Sequence, residues 1–218
     1  MTHPPDGRAE GFGGLRVRRA GDTGVLVETG DLTMSHRLHA AVRAAGIEGI
    51  VDVVPGERTV LVTVDPRRCE PGRLAALLPT LPPAEASSGD LTPVDIPVTY
   101  DGEDLAEVAE LAGISAEAVA ARHLAGDYTV AYLGFAPGFA YLTGLDPTLH
   151  VPRRESPRTS VPAGSVAIAG PYTAVYPSAS PGGWRLLGHS GLGLWDTRRE
   201  PPALLQPGTR VRFVEERR

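Results

Sequence analysis

Residues 134–183 contain fifteen glycines and prolines in fifty positions. The whole chain has 26 glycines and 21 prolines in 218 residues, about a fifth. Glycine opens dihedrals that other residues avoid, and proline fixes φ and removes a backbone donor. A helix of ordinary length does not survive that density. The stretch must fold as short extended pieces joined by fixed turns, and rigid turns of this kind suit a preorganised site. A barrel also needs turns of its own, so composition alone leaves both readings open. The β-prone pieces here are 166–169, 173–176, 184–187, 192–195 and 210–214. Many short strands with Gly/Pro turns indicate a barrel or closed sandwich.

Upstream the pattern differs. Residues 15–19 and 25–28 read as strands around an Asp-Thr-Gly turn. Leu38, Ala41, Val42 and Ala45 recur at helical spacing over 32–45, and Gly46 stops the helix. Residues 51–54 and 59–64 flank Pro-Gly-Glu-Arg as a hairpin, and 71–78 is a short helix opened by Pro71. The order ββαββα describes a small α+β domain with helices on one face. Residues 81–93, LPPAEASSGDLTP, are the best linker in the chain and place a boundary near Ser88. Beyond it come a strand at 94–99, helices at 105–111 and 116–123, and a strand at 128–133. The expected domains are a disordered tail over 1–13, a small α/β domain over 14–87 and a mainly-β domain over 88–218.

Charge and cysteine content exclude several function classes. The chain has 26 acidic residues against 21 basic ones, a net charge of −5, so no broad basic surface is expected to meet nucleic acid or a membrane. All the basic side chains are arginine, which excludes a Schiff-base lysine or a P-loop lysine. A single cysteine, Cys69, cannot form an internal disulfide. With no apolar leader or membrane-length run, a cytoplasmic location is expected.

Four strings carry the specific information: LGFAPGFAYLTGLDP from Leu133, PRRESPRTSVPAGSVAIAG from Pro152, YPSASPGGWRLLGHS from Tyr176 and PALLQPGTRVRFV from Pro202. In this order and spacing they closely resemble the family of B-type 5-oxoprolinase subunits, also known as allophanate hydrolase subunit 1 and as the KipI-type sporulation-kinase inhibitor. The resemblance spans about 95–214, with weaker similarity in GDTGVLVE and the hairpin. It implies an α+β N-terminal domain followed by a cyclophilin-like β-barrel. It also implies a hetero-oligomer with C-type and A-type subunits, inactive as a single chain. The assembly would couple ATP hydrolysis to opening of 5-oxo-L-proline, giving L-glutamate, with ATP on a partner or shared with one. The family names leave two alternatives: inhibition of a sensor histidine kinase, and a part in a urea carboxylase or allophanate pathway. Cyclophilin-like does not mean prolyl isomerase, because a fold does not carry an activity.

Opening a lactam calls for groups that hold a carboxylate, phosphates and developing negative charge, and arginine forks and backbone N–H groups suit that work. The candidates are Arg153, Arg158, Ser165, Gly182 and Gly183, with an ion pair or interface contact as the other reading of Arg158. Phe135, Pro137, Gly138, Phe139, Tyr141 and Trp184 wall a small-ligand pocket or dock a partner, since aromatics serve both, with ordinary packing of the barrel as the other reading of the aromatics. The loop Ser180 to Trp184 suits an anion but lacks the P-loop lysine. Arg154 is read as facing solvent. Asp101, Glu103, Asp104 and Glu107 sit at a helix start, where the helix dipole alone accounts for them. His189 and Ser190 are adjacent on a strand and face opposite ways, which rules out a nucleophile and base pair. His36 and His39 share a helix face without a third ligand, so no metal is expected.

Overall fold

A computed structural model describes residues 12, 14–82, 84 and 93–216. Most of the tail expected to be disordered over 1–13 and most of the expected linker lie outside the described residues; within the tail Phe12 is instead buried in the apolar core of the first unit. Contacts divide the chain into two units, Met1–Ser87 and Ser88–Arg218.

In the first unit β1 (Arg16–Ala20), β2 (Gly24–Glu28), β3 (Ile50–Pro55) and β4 (Thr59–Val64) form an antiparallel sheet in the order β1-β2-β4-β3. Val25, Val27, Val53, Val60 and Val62 are buried on one face, in register across the strands. Against that core pack α1 (Leu32–Ala45) and α2 (Pro71–Leu77), through Leu38, Val42 and Leu74. The sequence shows why α1 has these ends. The Asp31 side chain accepts from the Met34 N–H at 2.8 Å, and Gly46 takes the left-handed conformation at φ 55°.

The second unit is mainly β. Its strands are β5 (Val94–Val98), β6 (Tyr128–Leu133), β7 (Ala140–Thr143), β8 (Arg158–Val161), β9 (Ser165–Ala169), β10 (Tyr172–Val175), β11 (Ser180–Gly182), β12 (Arg185–His189) and β13 (Arg210–Glu215). Seven of them form one sheet, in the order β12-β9-β10-β7-β6-β13-β5, antiparallel except for β13 beside β5. Thr99 and His189 exchange two backbone hydrogen bonds of 2.9 Å, which bridge the ends of the outermost strands and nearly close the barrel. Two helices, α3 (Leu105–Ala112) and α4 (Ala116–Leu124), pack their buried Val108 and Val119 into the barrel core.

Strand β9 is buried along its whole length. Val166 and Ile168 point into the barrel core. Ala167 and Ala169, with Ala174 of β10, face a second cluster outside it, built from Phe139, Tyr176 and Trp184. The alternation of large inward and small outward residues follows the two-residue period of a strand and makes room for aromatic rings on the outer face.

Residues 192–195 do not form the expected strand. Leu194 is buried in the barrel core, but only Trp195 makes a bridge, to Ala203. Burial without a sheet partner produces the same apolar alternation as a strand. Conversely β7, β8 and β11 lie in the segment where turns dominate the sequence, and their pairing is tertiary: β8 binds β11 across an irregular register.

Candidate functional site

The loop between β6 and β7 begins the site. Phe135 has φ 67°, the one non-glycine residue with positive φ among those described. The Ala136 N–H donates to the Gly134 carbonyl at 2.7 Å, so Phe135 is the centre of a three-residue turn in its rare, strained hand. A bulky side chain in this region costs on the order of 1–3 kcal/mol and persists only where its surroundings enforce it. The turn leaves Phe135 61% exposed, its ring 5.2 Å edge-on from the buried Phe139 ring.

Behind Phe135 lies a cavity of about 210 Å³. Phe139, Tyr141, Tyr176 and Trp184 form its walls, and Arg153, Pro157 and the 181–183 loop form its rim. The rings meet edge to face, with Phe139 at 5.2 Å from Tyr176 and 5.6 Å from Trp184, an arrangement that holds each ring in place. Gly182 is required by a close approach. A Cβ there would overlap the Tyr176 hydroxyl. Burial pushes the Tyr176 phenol up, against a hydrogen bond from the Trp184 N–H and the nearby Arg153 charge, so the hydroxyl stays protonated near neutral pH. The Arg153 guanidinium carbon lies 5.8 Å from the Trp184 ring centre.

A second cluster adjoins the cavity through the 152–158 segment. Asp104, 2% exposed, accepts from Arg154 and Arg158 at 2.8 Å on one carboxylate oxygen. Its other oxygen accepts from the Leu186 N–H at 2.7 Å. Arg185 pairs with Glu107 and donates to the Pro152 carbonyl, and Glu103 takes a second bond from Arg158. Burial raises the Asp104 carboxyl. The hydrogen bonds from Arg158 and Leu186, with the charges of Arg158 and Arg154, outweigh it and hold the group below its ordinary value. Asp104 stands at the N-cap of α3 but makes no cap bond. The dipole reading of this acidic cluster is therefore corrected at Asp104, whose carboxylate is spent on the arginines. Arg154, read as facing solvent, is part of the same network.

The sequence candidates thus separate. Phe135, Phe139, Tyr141, Trp184, Arg153, Gly182 and Gly183 meet at the cavity. Arg158 lies in the ion-pair network. Ser165 is buried on β9, opposite His189. Pro137 is exposed, and Gly138 packs under Trp195, with 3.0 Å from a would-be Cβ to the Trp195 Cβ. His189 is exposed and bonds Asp101 at 2.8 Å, while Ser190 is buried. Tyr176 and Pro157 are the cavity residues that the sequence reading did not single out. For Tyr176 the signal was Gly182, six residues on, which leaves room for its hydroxyl.

His123 is a further buried polar group that the sequence did not single out. The Tyr100 hydroxyl donates to its Nδ1 at 2.6 Å, and its Nε2 donates to Thr173 at 2.8 Å. The Thr173 hydroxyl donates to the Ala167 carbonyl at 3.1 Å, which fixes this direction. Desolvation pulls the imidazole pKa down to about 3. The chain of bonds fastens α4 to the barrel wall and belongs to the core.

Comparisons with known proteins agree with this architecture. The family model for the carboxyltransferase domain, subdomain C and D, matches residues 15–205. The B-type subunit of 5-oxoprolinase from Escherichia coli O157:H7 is 42% identical over 181 residues, covering 81% of this chain and 83% of that protein. The protein of the same name from Bacillus subtilis is 50% identical over 56% of this chain and 52% of its own length. Among solved structures, TTHA0988 is similar at a TM-score of 0.80 and 44% identity, covering 93% of this chain; this chain spans only 41% of that one. The Kluyveromyces lactis urea carboxylase shares the fold at a TM-score of 0.69 and 23% identity, covering 93% of this chain and 22% of that one. The chain belongs to the carboxyltransferase-domain C and D family, the family of the proteins named as B-type subunits of 5-oxoprolinase.

Proposed function

We propose that this chain is the B-type subunit of an ATP-dependent 5-oxoprolinase, acting with A-type and C-type partners to open 5-oxo-L-proline to L-glutamate. The observation that carries the reading is the 42% identity to the E. coli B-type subunit along four-fifths of the chain. The likeness to urea carboxylase, at 23% identity, speaks for a common fold and for nothing finer.

The cavity is consistent with a role shared between chains. Its side-chain polar groups are the Arg153 guanidinium and the Tyr141 and Tyr176 hydroxyls, and its lining contains no carboxylate or imidazole. Such a site can hold and orient a substrate but cannot take a proton from water. Ring opening needs a base or an activated carbonyl, so a partner must complete the chemistry. The cavity does not fit ATP. About 210 Å³ is too small for a nucleoside triphosphate, and the 180–184 loop has no lysine. No step through the nucleotide is assigned to these residues.

The test is reconstitution. The chain co-expressed with A-type and C-type partners should release glutamate in a manner dependent on both ATP and 5-oxo-L-proline, and the chain alone should release none. Absence of glutamate from the complete, assembled set would overturn the reading.

A further inference from the structure

The geometry points to the aromatic cavity as a binding site, on this chain alone, for a small flat ring that carries a carboxylate. Arg153 takes the carboxylate, the Tyr176 hydroxyl donates to a ring carbonyl or the second carboxylate oxygen, and Gly182 sets the depth of the site.

Three observations carry this assignment. The first is the contrast among four neighbouring arginines. Arg154, Arg158 and Arg185 are all neutralised by Asp104, Glu103 and Glu107. Arg153 has no carboxylate partner among the described residues, and it is the one that lines the cavity, stacked over Trp184. A guanidinium on an aromatic face keeps its planar donor edge free for a carboxylate. The second is size and shape. About 210 Å³ lies below the roughly 300–1,000 Å³ of drug-sized sites, and walls of aromatic faces and edges select a flat ring over a branched chain. The third is the Tyr176 hydroxyl. It stands in the lining beside the 181–183 loop as a hydrogen-bond donor, and only a glycine at 182 lets it stand where it does.

The floor of the cavity is fixed. Tyr176 and Phe139 are each 1% exposed, packed on the alanines of β9 and β10. The mouth is Phe135, held out by its positive-φ turn. A preformed floor with one strained ring at the mouth is the arrangement expected of a ligand clamp, where backbone strain is tolerated for the sake of geometry.

The inference rests on the proposed function only in the choice of probe. Titrating the purified full chain with 5-oxo-L-proline, followed by ligand-observed NMR or calorimetry, should give saturable binding. The same ring without its carboxylate, 2-pyrrolidinone, should bind at least about tenfold more weakly, the loss expected for one charge-assisted hydrogen bond. Arg153→Ala, on an exposed side chain, should weaken binding by a similar factor. Gly182→Ala should do the same by displacing the Tyr176 hydroxyl. Arg122→Ala, which breaks a remote surface ion pair with Asp146, should leave affinity unchanged. No saturable binding to the full chain, equal affinity for 2-pyrrolidinone, or wild-type affinity in Arg153→Ala would each overturn the assignment. The two readings fail separately. A reconstituted assembly that turns over 5-oxo-L-proline, with a chain that does not bind it, keeps the function and removes the site. Carboxylate-dependent binding in an assembly without turnover keeps the site and removes the function.

Discussion

Phe135 and Asp104 are both held against a local cost, for different reasons. At Phe135 the cost is in the backbone. Glycine relieves it, and the ring is mostly exposed, so little packing is lost with it. Phe135→Gly should therefore leave the thermal midpoint unchanged or raise it while weakening ligand binding, and a melting curve beside a titration reads both signs. At Asp104 the cost is desolvation, offset by two arginines and one backbone N–H. Asp104→Asn should destabilise the fold by about 3 kcal/mol, measured by urea unfolding, because it leaves buried guanidinium charge unpaired. Part of that loss should return in Asp104→Asn/Arg158→Ala if charge is the cause. Neither role was legible as such. Phe135 showed in the sequence as an aromatic beside Pro137 and Gly138, but a positive φ on phenylalanine is imposed by the loop around it. The acidic cluster was visible beside the arginine segment only once the chain had folded 154 and 158 back onto 104.

At the scale of elements, legibility followed the locality of the cause. Helix α1 ends where its residues say it should, because Asp31 and Gly46 act within one turn. Strands β8 and β11 could not be read, because each is made by a partner about twenty residues away across an irregular register, and β7, though it pairs with neighbouring β6, is masked by the turn-rich loop before it. The stretch 192–195 is the opposite case, apolar alternation with burial but no ladder. The join of α4 to the barrel carries a pH dependence. Unfolded, His123 takes a proton near pH 6.5; folded, it resists protonation down to about pH 3. Its folded pKa is depressed for a base, so the stability it permits is complete above pH 6.5 and falls as the pH drops toward 3. Between pH 7 and pH 5 the loss should be about 2 kcal/mol. Urea midpoints at the two pH values check this, and His123→Gln should lack that share of the slope.

The whole molecule consists of two units, each with its own apolar core. A chain of residues 88–218 alone should unfold cooperatively and keep the cavity, since the barrel, its two helices and the aromatic cluster all lie within it. Circular dichroism through a denaturant series, with the carboxylate titration repeated on the fragment, tests this. The two sheets also differ in how they end. The Thr99–His189 bridge ties the two outermost strands of the barrel together at one point. The four-stranded sheet of the first unit has β1 and β3 as its outer strands among the described residues. On β1, Arg16, Arg18 and Arg19 place three cations on one short strand, of which Arg18 pairs with Glu28 of β2. On β3 the register is irregular between Ile50 and Asp52, and Pro55 ends the strand without a donor. Both features discourage an identical strand from another molecule from adding to the ladder. An identical strand laid beside β1 would bring like charge against like charge, so replacing Arg16 and Arg19 with threonine is expected to raise aggregation at high concentration, read by light scattering.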